Sequence, residues 1–190
     1  MIKLYGTRTS RAFRCLWALE ECGLSYELIS VDWQKAETRT PEFLALNPNG
    51  HVPVFEQDGL VLLESLAINH HICQVAQTEL SPANPTEQTL AIQWTVWAMG
   101  ELEGPHDAAN QLEQDVDETH RSQAMTVLDK HLRRGGNLIA DRFTLADLNT
   151  ASVLMRPKYL PHIRDYRAAN AWFQRCASRP ALAKALGRAP

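Results

Sequence analysis

The residues best placed to do chemistry in this 190-residue chain lie in one stretch, Asn47 to Ser65. Glu64-Ser65 opens a helical pattern, with Ser65 suited to be its N-cap. The free N–H groups at the helix start would favour a carboxylate, and Glu64 could hold an ammonium. Val52-Pro53 is the second feature. Proline has no N–H, so Pro53 belongs at the start of a strand or on a sheet edge. If the Val52–Pro53 bond is cis, the chain turns there and Val52 leaves its N–H and C=O unpaired and facing outward. An extended peptide can add itself to such an edge by main-chain hydrogen bonds. Together these residues describe a socket for something peptide-like with an amino-acid head group.

Other chemistries find less support. The four cysteines (Cys15, Cys22, Cys73, Cys176) are scattered, with no C-x-x-C and no metal-ligand spacing, and read as buried, reduced thiols of a cytoplasmic protein. His70 and His71 point different ways on a helix, so no metal site is expected. A net charge of −3 and a pI near 6.2, with no Lys/Arg block, give no support for nucleic-acid binding. No apolar run is long enough to span a bilayer, and no signal peptide precedes the first strand pattern.

The elements that must carry the socket follow from pattern. Ile2 to Tyr5 reads as a strand ending at Gly6, and Thr7-Arg8-Thr9-Ser10 as a polar loop in which Ser10 or Thr9 can cap the next helix. That helix places Phe13, Leu16 and Trp17 on one face and stops near Gly23. Tyr26 to Val31 is a second strand, which implies a parallel pair. Trp33 to Thr40 is polar loop, and Pro41 to Leu46 fits a short helix with proline in its first turn. Val52 to Phe55 and Leu60 to Leu63 form a hairpin through Asp58-Gly59, and a helix runs from Ser65 to about Ala76. The order β-α-β-α-β-β-α matches the thioredoxin arrangement. Residues 78–86, with Ser81-Pro82-Ala83-Asn84-Pro85, read as a linker between a domain of residues 1–77 and an all-helical bundle of residues 87–190. Its helices are expected from Glu87 to about Gln111, kinked at Gly104-Pro105, and from Val116 to Arg134. More follow, one capped by Thr144 with Asp147 reaching back, one through Trp172-Phe173, and a short one after Pro180.

These residues carry a family pattern. Asn47-Pro48 with Gly50, Val52-Pro53-Val54, Asp58-Gly59, Glu64-Ser65 with Ala67-Ile68, the linker, and Leu145-Ala146-Asp147 resemble the cytosolic glutathione S-transferases over nearly the whole chain. The resemblance implies a thioredoxin-like N-terminal domain that binds glutathione and a helical domain that supplies most of the second-substrate pocket. It implies a cis Val52–Pro53 bond, pairing of Val52 with the cysteinyl backbone of glutathione, and Glu64 and Ser65 on its γ-glutamyl end. Arg11 would help steer the anionic tripeptide, and His51 falls near the glycyl carboxylate. A homodimer is implied by analogy.

The chemistry so implied needs glutathione as thiolate, because the thiol is a poor nucleophile near neutral pH. A hydroxyl donating to sulfur stabilises that form. Thr9 falls where theta-, zeta- and phi-like members carry their serine, Ser10 is beside it, and Tyr5 falls where the tyrosine-dependent classes carry theirs. The order of preference is Thr9, Ser10, Tyr5. Helix capping would occupy Thr9 or Ser10, and Tyr5 would otherwise be a strand-end side chain packed beneath the site. The expected activity is conjugation of glutathione to an electrophilic small molecule, without a metal. The alternatives are a disulfide or peroxide reductase of the same fold and a non-catalytic binding protein.

Overall fold

The computed structural model describes residues 1–103, 111–155 and 162–188, with the side chains of 111–118 and of His162 outside that description. It divides into two compact units, Met1–Ser81 with Arg179–Pro190, and Pro82–Ser178. Residues 179–190, read from sequence as part of the helical domain, thus group with the first unit.

In the first unit, β1 (Ile2–Tyr5), α1 (Ala12–Cys22), β2 (Tyr26–Ile29), α2 (Pro41–Leu46), β3 (Val54–Gln57), β4 (Leu60–Leu63) and α3 (Ser65–Ala76) occur in the expected order. The sheet order is β2-β1-β3-β4, with β1 and β2 parallel and the other pairs antiparallel. Two strands are shorter or later than the pattern suggests. β2 ends at Ile29 rather than Val31, and β3 starts at Val54 because Pro53 has no N–H to give a ladder. Residues 33–39, read as loop, form two 3₁₀ turns, Trp33–Lys35 and Glu37–Arg39.

Helix α1 is buried nearly all round. Ala12, Cys15, Leu16, Trp17, Ala18 and Leu19 are buried, and so is Arg14. A helix with buried residues on every side must be covered by more than a sheet. α3 packs against α1, and so does α8 (Pro180–Ala185), to which the chain returns at Arg179. The Arg179 guanidinium meets Glu21 of α1 with both nitrogens, at 2.5 and 2.7 Å, and Trp17 Nε1 donates to the same carboxylate at 2.9 Å. This fork geometry is the strong form of the Arg–carboxylate pair.

The second unit is helical: α4 (Pro85–Trp97), a π-helical continuation (Ala98–Glu103), α5 (Gln111–Leu132), α6 (Leu145–Leu154) and α7 (Arg167–Ala177). The kink expected at Gly104-Pro105 lies outside the described residues. Helix α6 is wholly buried and begins with the capping box expected of Thr144 and Asp147. Asp147 does more than the box asks. One of its oxygens accepts the Thr144 N–H (2.9 Å) and hydroxyl (2.8 Å), and the other accepts the Leu138 N–H (3.0 Å) and Trp172 Nε1 (2.8 Å). A buried polar group satisfied on all sides ties three segments of chain to one carboxyl.

Candidate functional site

Sheet register brings the socket together. Tyr5 stands opposite Val54, and Val54 opposite Leu63, so the three lie in one row across the sheet. The chain beyond that row is Gly6 onward from β1, Pro53 and Val52 leading into β3, and Glu64-Ser65 leaving β4. All three segments therefore lie at the same end of the sheet. Contact between the first two is close. A Cβ added at Gly6 would sit 3.3 Å from Val52 Cβ and 3.2 Å from Ser10 Oγ, at a φ of +141° that other residues rarely adopt.

The Val52–Pro53 peptide is cis. The Val52 side chain packs against the buried cluster of Val31, Phe43 and Val54, as do those of Tyr5, Leu46 and Leu63, while its backbone takes part in no hydrogen bond with the described residues. Just upstream, Asn47 braces the turn, its Nδ2 donating to the His51 carbonyl (2.7 Å) and its Oδ1 accepting from Asn49 N–H (3.0 Å). The His51 side chain is exposed beside it.

At the third segment the structure refines the sequence reading. Ser65 is not the N-cap of α3 but its first helical residue, and Glu64 is the cap, with φ +68° and ψ +107°. A non-glycine residue in that region is strained, and such residues cluster where ligands bind. The exposed Glu64 carboxylate stands beside a Ser65 that is 5% exposed. The buried Arg14 guanidinium lies 3.4 Å from Ser65 Oγ, and Cys15 Sγ donates to the Ser65 carbonyl at 3.4 Å. Burial pushes the Cys15 thiol up, so it stays protonated as a donor.

The three candidate hydroxyls differ in what already occupies them. Ser10 Oγ donates to the Thr7 carbonyl (2.8 Å) and accepts from the N–H groups of Thr7 and Ala12 (3.2 Å each), so it staples the loop and the start of α1. The cap residue of α1 is Arg11, half-buried, rather than Ser10 or Thr9. Tyr5 Oη donates to Glu56 at 2.6 Å. Burial, followed by that carboxylate, pushes its pKa up to about 12. Thr9 is exposed, and its hydroxyl shares a proton with that of Thr7 at 3.1 Å. Of the three, it alone is bound to neither a backbone group nor a carboxylate.

Two arginines went unnoticed in the sequence. Arg14 reads as a polar interruption of an apolar face, and nothing local shows that Ser65 lies beside it. Arg39 lies against the turn, with Nη1 3.4 Å from the Asn49 carbonyl and 2.5 Å from where a Gly50 Cβ would stand. Among the described residues no group of three or more His, Cys, Asp or Glu is arranged to hold a metal ion, and no helix is long and apolar enough to cross a membrane.

Several known proteins are similar to this chain. Glutathione S-transferase 4 of Zea mays is 32% identical to this chain over 96% of its length and 91% of its own. Elongation factor 1-gamma of Equus caballus is 29% identical over 93% of this chain but only 44% of that protein. The solved glutathione transferase of Burkholderia graminis, with two glutathione molecules bound per subunit, superimposes with a TM-score of 0.84 at 27% identity, covering 97% of this chain and 87% of that one. The family model for the glutathione S-transferase N-terminal domain matches residues 1–74, and that for the C-terminal domain matches residues 71–180. This chain belongs to the glutathione S-transferase family.

Proposed function

We propose that this protein is a glutathione transferase that conjugates glutathione to a small electrophile, with no metal. The observation that carries the reading is the unpaired Val52 backbone beside the Glu64–Ser65 helix start, at the end of the sheet where the Thr7–Ser10 loop also lies. In this reading Val52, aligned by Pro53, pairs with the cysteinyl backbone of glutathione. Glu64 takes the γ-glutamyl ammonium, and Ser65 with the first turn of α3 takes its carboxylate. Arg11 and His51 lie along the remaining backbone and the glycyl carboxylate.

The thiol of bound glutathione loses its proton to solvent, and the resulting thiolate is held by the Thr9 hydroxyl. Its sulfur lone pair forms the new C–S bond, and the electrophile's leaving group departs with the electron pair of the bond that breaks. Ser10 orders the loop, and Tyr5 supports the sheet end from below. Four free cysteines suit a reducing, cytoplasmic setting. We assign a homodimer to the protein, for which exposed apolar side chains on α4 and β4 speak.

A second reading, a non-catalytic binding module, is favoured by one observation, the similarity to elongation factor 1-gamma. Retention on immobilised glutathione followed by turnover of a generic aryl halide separates the two. Retention with conjugation supports the transferase. Retention without turnover on aryl halides, disulfides or peroxides supports the module, and failure to bind glutathione at all removes both glutathione-based readings.

A further inference from the structure

The loop that carries Thr9 is tied to the far end of the chain. Arg8, between Thr7 and Thr9, points its guanidinium at the end of α8, where Nη1 donates to the carbonyls of Lys184 (3.0 Å) and Ala185 (2.6 Å). The Lys184 carbonyl also accepts the Gly187 N–H at 2.9 Å, and a cation at a helix C-terminus meets the negative end of the helix dipole. The fit is close: a Cβ added at Gly187, which has φ +67°, would lie 3.2 Å from Arg8 Cδ. The guanidinium also faces the Tyr26 hydroxyl, which donates to Glu20 at 2.7 Å. Helix α8 itself is fastened to α1 by the Arg179–Glu21 fork. The loop is thus held at Ser10, by its own bonds to Thr7 and Ala12, and at Arg8, by α8. Thr9, exposed, lies between the two anchors.

We propose that α8 sets the position of the thiol-activating loop, with Arg8 as the positioning residue. The proposal rests on the transferase reading above. A hydroxyl that must meet a sulfur within hydrogen-bond distance loses much of its effect when its backbone wanders by an ångström. Holding Arg8 against two fixed carbonyls removes that freedom, whereas the elements that bind the tripeptide, Val52 and Ser65, do not depend on Arg8.

The test uses the full-length protein, glutathione and an aryl halide. Arg8→Ala should lower kcat by about tenfold, leave the KM for glutathione within about twofold of wild type, and move the pH profile of kcat towards higher pH, because the bound thiol is less acidified. Arg8→Lys should recover most of the loss, since an ammonium can still donate to both carbonyls. Gly187→Ala should reproduce the pH shift by displacing Arg8 and should add nothing in the Arg8→Ala background. A loss of folding alone would lower active enzyme without moving the pH profile, and that outcome counts against the proposal. So would an Arg8→Ala profile that overlays wild type, or additive effects in the double variant. A wild-type protein that binds glutathione and never turns over overturns the transferase reading and the positioning role together. An active wild type with an indifferent Arg8 overturns the positioning role only.

Discussion

Thr9, Ser10 and Tyr5 are close in sequence, yet their surroundings assign them different work. Thr9→Ala removes the one hydroxyl not committed to a backbone group or a carboxylate. It should lower kcat by roughly ten- to a hundredfold, the worth of one hydrogen bond to a charged group, while glutathione affinity measured by calorimetry changes little. Ser10→Ala removes a hydroxyl with three backbone partners and should cost about 1 kcal/mol of folding stability, read from denaturant midpoints. Tyr5→Phe should leave the pH profile of turnover where it is, because a phenol whose proton is given to Glu56 has none to offer a sulfur. The same phenol makes an alkaline prediction. Tyr5 is pushed up to about 12 by burial and then by Glu56, and Tyr26 equally, by burial and then by Glu20. The folded state therefore holds these protons more tightly than the unfolded chain, whose tyrosines ionise near 10. The stability they contribute is whole below about pH 10 and is lost as pH rises towards 12. Thermal unfolding followed alongside phenolate absorbance should show the two changes together.

Single helices carry the next level of consequence. Helix α3 opens on Ser65 directly after the strained backbone of Glu64, with Arg14 and Cys15 of α1 against it, and the proposed function puts the ligand there. Ser65→Ala should weaken glutathione binding by roughly tenfold, as expected for a lost hydrogen bond to a carboxylate, with little change in kcat. Helix α6 concerns folding alone. Thr144→Ala should cost about 1 kcal/mol through its cap. Asp147→Ala leaves two N–H groups and an indole N–H buried without an acceptor, and should cost roughly 3 kcal/mol or more. Denaturation midpoints of the two variants decide whether that ordering holds. The Thr144 box was legible because a cap and its N3 partner are three residues apart, and the same locality exposed the Asp58-Gly59 hairpin, Pro41 in its first turn and the Ser65 helix start. What depends on approach through space was not. Arg14 beneath Ser65, Arg39 beside Gly50 and α8 against Arg8 join residues 51, 11 and 176 or more positions apart. Pattern could show that α1 is amphipathic, but not that its polar side is also covered.

At the scale of the whole molecule, the proposed homodimer has to be tested against the exposed apolar side chains. On α4, Ile92 and Val96 are 49% and 65% exposed and lie four residues apart, hence on one face. On β4, Leu60 and Val61 are 42% and 39% exposed in an edge strand, where unpaired backbone and apolar side chains together invite another chain. Isolated exposed residues of this kind need no explanation; the α4 pair shares one face, whereas Leu60 and Val61, consecutive in a strand, point to opposite faces of the sheet and share only its open edge. If they are the surfaces of a homodimer, folding is linked to association and the thermal midpoint must rise with protein concentration, since a partner that binds only the folded chain stabilises it by mass action. Sedimentation of wild type should give a mass twice that of one chain. Val96→Glu places a charge where the dimer would have to desolvate it and should shift the protein to monomer, and Val61→Lys tests the sheet edge in the same way. A wild type that sediments as one chain, with a midpoint indifferent to dilution, removes the homodimer. If instead a monomeric Val96→Glu keeps its kcat, each chain carries a complete site, as expected when Thr9, Val52 and Ser65 all belong to one unit and the anchors of their loop come from the same chain.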